Sequence, residues 1–262
     1  MTRWRLTVEY DGGPFMGWQR QDHGPSVQQA LEEALERMTG ERAVFTAAGR
    51  TDAGVHALAM STHVDVAKAV TAHRLREGLN ALVRPQPISV LDVAEVAEDW
   101  HARFSCAGRR YLYRILSRRA PPALDAGRVW HVAVPLDAEA MREAAAHLVG
   151  EHDFTSFRAS SCQSPTPVKT LQPVTISRRG PYWRFEFEAN AFLHHMIRNL
   201  MGCLVQVGQG LQPPGWMREV LEAKSRDAAA PTFSPDGLYF LGPVYDVHWG
   251  LPSHVPAYDG LP

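Results

Sequence analysis

The sequence predicts an α+β protein made of two related halves, and three observations carry that expectation. Segments of period-two alternation, such as "WRLTVEY", "AMSTHVDVA" and "YWRFEFEAN", are interspersed with segments of helical period, such as "SVQQALEEALERMTG". Short Gly/Pro turns such as Gly180-Pro181 join neighbouring strand segments, which makes those pairs antiparallel. A strand-helix-strand order occurs in residues 1–105 and returns in longer form in residues 106–262. The expected architecture is therefore two β-α-β-type halves forming one mixed, mostly antiparallel sheet. Helices should cover one face, which leaves the other open to a flat or grooved ligand.

The elements follow in order. The opening strand runs into the turn Asp11-Gly12-Gly13-Pro14. In the first helix Ser26 and Gln29 form a capping box, Val27, Leu31, Leu35 and Met38 line one face, and Gly40 supplies a left-handed end. "AMSTHVDVA" reads as a strand, residues 71 to 82 hold a helix, and "PISVLDVAEVA" is a further strand. "YLYRILS" opens the second half. In "LDAEAMREAAAHLVG" Asp137 caps a helix, Leu136 and Met141 form a hydrophobic staple, and Gly150 ends it. The strands "PVTISRRG" and "YWRFEFEAN" precede "AFLHHMIRNLMGCLVQVG", which is apolar around most of its circumference and reads as a buried helix. A short helix near residues 214 to 224 and the strand "GLYFLGPVYDV" follow, and the tail "LPSHVPAYDGLP" is expected to be loose.

Composition excludes several classes. Three cysteines, Cys106, Cys162 and Cys203, lie far apart with no C-x-x-C spacing, so neither a disulfide framework nor a cysteine zinc site is expected. The N-terminus lacks the apolar core of a signal peptide and no stretch has the length of a membrane span, which reads as a soluble, cytoplasmic chain. A formal net charge of -1 argues against indiscriminate coating of nucleic acid. Local clustering points the other way. "HARFSCAGRRYLYRILSRRA", residues 101 to 120, holds six arginines and no acid, a local formal charge of +6 and a candidate anion site.

The stretch "AGRTDAGVHA", Ala48 to Ala57, sets one carboxylate, Asp52, among small residues that let a second backbone or a ligand come close. A plain turn capped by Asp52 would need neither Arg50 nor His56 nor so little bulk. His194 and His195 are adjacent and should point in different directions, so no metal site is expected there.

"GRTDAGVHA", with "YDGGPFMGWQRQ" before it and "WHARFSCAGRRYLYRI", "GEHDFTSFRAS", "NAFLHHMIRNLMG" and "DGLYFLGPVYD" after it, resembles the TruA family of tRNA pseudouridine synthases. The likeness spans nearly the whole chain in order. It implies isomerisation of uridine to pseudouridine at positions 38, 39 and 40 of the anticodon stem-loop, with tRNA gripped at anticodon arm and elbow by a homodimer. No cofactor, metal or membrane is implied.

Such chemistry explains a solitary acid. A hydrolytic glycosidase commonly needs two carboxylates, whereas here the leaving uracil stays in the pocket and rejoins through C5. Asp52 either attacks C1′ as a nucleophile or abstracts a sugar proton, and the sequence does not choose. The uridine must first be flipped out of its stack. The resemblance gives Arg50 the vacated space or a neighbouring phosphate, Tyr111 the face of the base, Arg198 a place beside the aspartate, and Leu238 the wall of the uracil pocket. Arg103, Arg109, Arg110 and Arg114 would hold RNA phosphates, and Gln163 and Ser164 lie in a loop, residues 161 to 168, that would touch the tRNA. Pro165 stands where the family usually has a basic residue. His56 is expected to support the loop by hydrogen bonding. Two other readings use the same residues: an RNA-binding module that modifies nothing, and a hydrolase that releases uracil.

Overall fold

The computed structural model describes residues 1–251, so the predicted loose tail lies outside the described residues apart from Leu251. The protein is α+β, with eleven strands and five α-helices among those residues. Among the described residues, no helix is long and apolar enough to cross a membrane. The chain divides into two compact units, one of Met1–Ala107 with the segment from Tyr239 onward, the other of Gly108–Leu238.

In the first unit, β1 (Thr2–Tyr10) is followed by α1 (Val27–Thr39), β2 (Thr46–Ala47), β3 (His56–Val66), α2 (Ala72–Leu82) and β4 (Ile88–Glu95). Strand β1 is central and pairs antiparallel with both β3 and β4, with Thr7 opposite Ser61 on one side and Asp92 on the other. Alternation along β1 sends Leu6 and Val8 into the core with Leu31, Leu35, Leu75 and Leu79 of the two helices. The helix caps agree with the sequence: Ser26 Oγ accepts the Gln29 N–H, and Gly40 has φ 80°. The Gln29 side-chain NH2 group donates to Glu33 at 2.8 Å, one turn further along the helix. Helix α1 lies against α2, where Met38 sulfur occupies the space that a Cβ on Gly78 would need.

The polar face of β1 and β3 carries His63, whose Nδ1 accepts the Ala102 N–H at 3.2 Å. Burial, with His101 and Arg3 nearby, pushes its pKa from 6.5 to about 4. Because the folded value lies below the unfolded one, the neutral ring contributes stability that is complete above 6.5 and is lost as pH falls toward 4. The thermal midpoint should therefore drop across that window. His63→Asn, which keeps an acceptor but cannot titrate, should flatten that part of the melting curve against pH.

In the second unit come β5 (Cys106–Ser117), β6 (Trp130–Val132), α3 (Ala138–Ala146), β7 (Gly150–Asp153), β8 (Val168–Leu171), β9 (Thr175–Arg179), β10 (Tyr182–Ala189), α4 (Met196–Gly208) and α5 (Trp216–Ala223). Strand β10 pairs antiparallel with β5 and, through the Gly180 turn at φ 58°, with β9. Its residues alternate regularly, so Trp183, Phe185, Phe187 and Ala189 are buried while the residues between them are half-exposed.

Two sequence expectations are corrected here. The helix capped by Asp137 ends at Ala146 with His147 as its right-handed C-cap, and Gly150, at φ 104°, begins β7 rather than closing the helix. The apolar helix begins only at Met196; residues 191 to 195 are not helical, and His195 has a left-handed φ of 61°. Leu136 and Met141 do converge, both against Gly208 of α4. The last strand, β11 (Leu238–Tyr245), runs parallel to β3, with Tyr239 opposite His56 and Phe240 opposite Ala57.

Candidate active site

The Asp52 loop is built by backbone packed on backbone. Gly12 and Gly17, from the β1–α1 connection, approach it so closely that an ideal Cβ on Gly12 would stand 2.1 Å from Val55 O, and one on Gly17 2.3 Å from Thr51 O. Gly17 also has φ +98°, a conformation that suits glycine alone. Trp18 N–H donates to Thr51 O at 3.2 Å, Gly54 N–H donates to Phe15 O at 3.3 Å, and Val55 N–H closes a turn on Asp52 O at 3.1 Å. Tyr10 and Thr51 share a buried hydroxyl bond of 2.8 Å. The small residues flagged in the sequence thus admit another stretch of the chain, and they hold the half-exposed Asp52 side chain on a fixed frame.

His56 ends this loop, buried, with Nδ1 accepting the Gly12 N–H at 3.1 Å and its ring stacked on Tyr239 at 4.6 Å. The Asp11 carboxylate also lies 3.1 Å from that nitrogen and accepts the Gly13 N–H. This is the anchoring role expected for His56. Arg50 is exposed and, among the described residues, makes no hydrogen bond or ion pair.

The second unit carries the other predicted residues. Tyr111 on β5 is half-buried, with its ring edge-on to Phe192 at 5.0 Å. Tyr113, two residues further along β5 and on the same side of the strand, is fully buried, its hydroxyl donates to Ser234 O at 2.7 Å, and burial raises its pKa far above the ordinary tyrosine value. A tyrosine so enclosed is a core residue, whereas Tyr111 keeps part of its surface accessible. Arg198 sits half-buried in the first turn of α4, where its Nε donates to Phe233 O at 2.6 Å. A cation there opposes the helix dipole, so its presence has some cause other than helix stability. Leu238 is 5% exposed.

The basic tract is divided. On β5, Arg109 faces the side of Tyr111 and Tyr113, whereas Arg110 and Arg114 face the other side, because neighbours on a strand alternate. Arg114 is only 1% exposed, with its guanidinium 5.9 Å from the Tyr182 ring centre, so this arginine does not belong to an open phosphate-binding surface. Arg109 donates to Asn190 O at 2.8 Å, Arg110 is half-buried opposite Glu188, and Arg103 is exposed. Gln163 is exposed; Ser164 Oγ donates to Thr166 O at 3.0 Å, and Arg158 binds the Cys162 and Ser164 carbonyls.

His194 and His195 do not point apart as expected. Their ring centres are 4.0 Å from each other, since the left-handed His195 breaks the helical offset on which that expectation rested. The sequence marks Gly12 and Gly17 only by their place in "YDGGPFMGWQRQ", which carries the family likeness.

Compared with known proteins, the chain matches the family model described as tRNA pseudouridine synthase over residues 6–105 and 144–246. The class so defined is an RNA-modifying isomerase. The chain belongs to the tRNA pseudouridine synthase family. It is 58% identical over 240 residues to tRNA pseudouridine synthase A of Rhodospirillum centenum, covering 92% of this chain and 98% of that protein. It is 55% identical over 250 residues to the protein of the same name from Rhizorhabdus wittichii, covering 95% and 98%.

Proposed function

We propose that the protein isomerises uridine to pseudouridine at positions 38, 39 and 40 in the anticodon stem-loop of tRNA, with Asp52 as the acting acid. The observation that carries this reading is the Asp52 loop, where one half-exposed carboxylate stands on a frame clamped by Gly12, Gly17, Phe15 and Trp18. A rigid mount suits chemistry that depends on position. The N1–C1′ bond of an extruded uridine breaks, the uracil turns, C5 bonds to C1′, the proton on C5 is released to solvent, and N1 takes up a proton in its place. Asp52 serves either as nucleophile on C1′ or as base toward the sugar.

Tyr111, half-buried and offering an aromatic face, supports the base through its rotation, since stacking holds a ring without fixing its in-plane angle. Arg198 favours the ionised acid, and Leu238 walls the uracil. The exposed Arg50 is suited to the space left by the flipped base. Arg103, Arg109 and Arg110 hold phosphates, with Gln163 and Ser164 contributing from their loop. The enzyme works in the cytoplasm as a homodimer, one subunit holding the elbow of the tRNA while the other acts on the anticodon arm.

The test is tritium release from tRNA carrying 5-tritiated uridine, followed by mapping of the product. Release with pseudouridine confined to positions 38 to 40 is expected; intact tritium, or free uracil in the medium, overturns the reading. Phosphate binding predicts a second result. The affinity for tRNA should fall steeply with salt, and Arg103→Ala should reduce the log–log slope by about 1.

A further inference from the structure

Tyr10 closes the central strand β1, with Ala57 opposite it on β3 and Ile88 opposite it on β4. A residue paired on both sides has little backbone freedom. The β1–β3 register shifts between Val8 and Tyr10, an irregularity of the kind that re-aims a side chain at the end of a strand. The Tyr10 side chain is buried, yet its hydroxyl meets the Thr51 hydroxyl at 2.8 Å across a separation of 41 residues. A phenylalanine would fill the same core volume without bringing in a polar group that must be bonded once it is buried. The hydroxyl therefore calls for an explanation of its own.

Thr51 is the residue before the acid, and its main chain is anchored as well. Its carbonyl accepts the Trp18 N–H at 3.2 Å and lies against Gly17, where a Cβ would stand 2.3 Å away. Trp18 is buried, with its ring centre 6.0 Å from that of Tyr10. The carbonyl bond locates the Thr51–Asp52 peptide, but a single point of attachment lets a peptide rock about it. An anchor on the side chain removes that motion. Threonine is stiff at χ1, so a bond that fixes its hydroxyl also fixes its Cα. Beyond the acid, Val55 N–H holds Asp52 O at 3.1 Å, and the backbone that carries the carboxylate is pinned on both sides.

We infer that Tyr10 is a positioning residue for the isomerisation: its hydroxyl, set by the central strand, fixes Thr51 and through it the carboxylate of Asp52. Buried as it is, Tyr10 acts through Thr51 and not on the substrate. A displacement of about 1 Å at a reacting group costs on the order of 10²-fold in rate, so one hydroxyl bond matters here without adding any affinity. The inference rests on the reading of Asp52 as the acting acid and extends that site by one residue.

Single-turnover tritium release at saturating tRNA, together with filter binding, tests the inference on the full chain, each variant being assayed well below its melting midpoint. Tyr10→Phe keeps the ring and removes only the hydroxyl. Its rate should fall about 10- to 100-fold while its tRNA affinity stays within about twofold of the parent. Thr51→Val removes the other hydroxyl at nearly the same shape and should behave alike, and the double variant should be no slower than the slower single one. Thr51→Ser keeps the hydroxyl and should retain most of the rate that valine loses. The inference is overturned if Tyr10→Phe reacts at the parental rate, or if the two single losses multiply in the double variant. It is equally overturned if affinity falls as far as rate, which would make Tyr10 a binding residue, or if the lost rate matches a loss of folded protein, which would make the bond structural only. Release by the parent and by Asp52→Asn is measured alongside. A silent parent, or an active Asp52→Asn, removes the reading of Asp52 itself, whereas an active parent, a silent Asp52→Asn and a fully active Tyr10→Phe remove only the part given to Tyr10.

Discussion

Asp52→Asn will stop tritium release, by at least about 10³-fold, while the protein melts as before and still binds tRNA. The amide matches the carboxylate in shape, so the frame of Gly12, Gly17, Phe15 and Trp18, which bonds to the loop through its backbone, is left intact. What disappears is the charge. An amide neither attacks C1′ nor accepts a sugar proton, so the same outcome is expected on either route. Single-turnover release together with filter binding checks it, and substantial turnover by the variant would end the assignment of Asp52. A binding module would show no change in any measurement.

Gly17→Ala should damage both fold and activity. Its Cβ would lie 2.3 Å from Thr51 O and 3.0 Å from Asp52 C, and an L-residue at φ +98° is strained wherever it sits. The clash falls on backbone, which cannot turn aside as a side chain can. The expected cost is about 2–4 kcal/mol in chemical unfolding, with a further loss of turnover because the displaced atoms are those that carry Asp52. Gly49→Ala is the matched control: nothing lies within 4 Å of its would-be Cβ, and the variant should fold normally. If Gly17→Ala melts with the parent protein, the packing described for this loop is wrong.

Much of this was legible in the residues because the local rules speak clearly at those positions. Ser26, Asp137 and Gly40 are caps with a mechanism, and the structure uses all three. The period-two runs became β1, β3, β4, β5, β9, β10 and β11. Strands β2, β6, β7 and β8 are two to four residues long, too short for a period to register, and they exist because a neighbour pairs with them. Gly150 misled because a glycine after a helix serves a strand start as readily as a helix end. Helix α4 starts later than the sequence predicts because Ala191 to His195 are mostly apolar or ring-bearing, and nothing in them announces the left-handed turn at His195. In the site, the bareness around Asp52 was visible, but its cause, the approach of Gly12 and Gly17, is a tertiary fact. The run of arginines looked like one patch because a linear count ignores alternation and cannot foresee the burial of Arg114.

The parallel pairing of β11 with β3 places Tyr239 against His56, at the end of the Asp52 loop. Those two rings are separated in the gene by the entire second unit. On a ribosome adding about 5–20 residues per second, the N-terminal portion waits on the order of ten seconds for its final strand. A nascent chain therefore carries the acid well before the stack that steadies it.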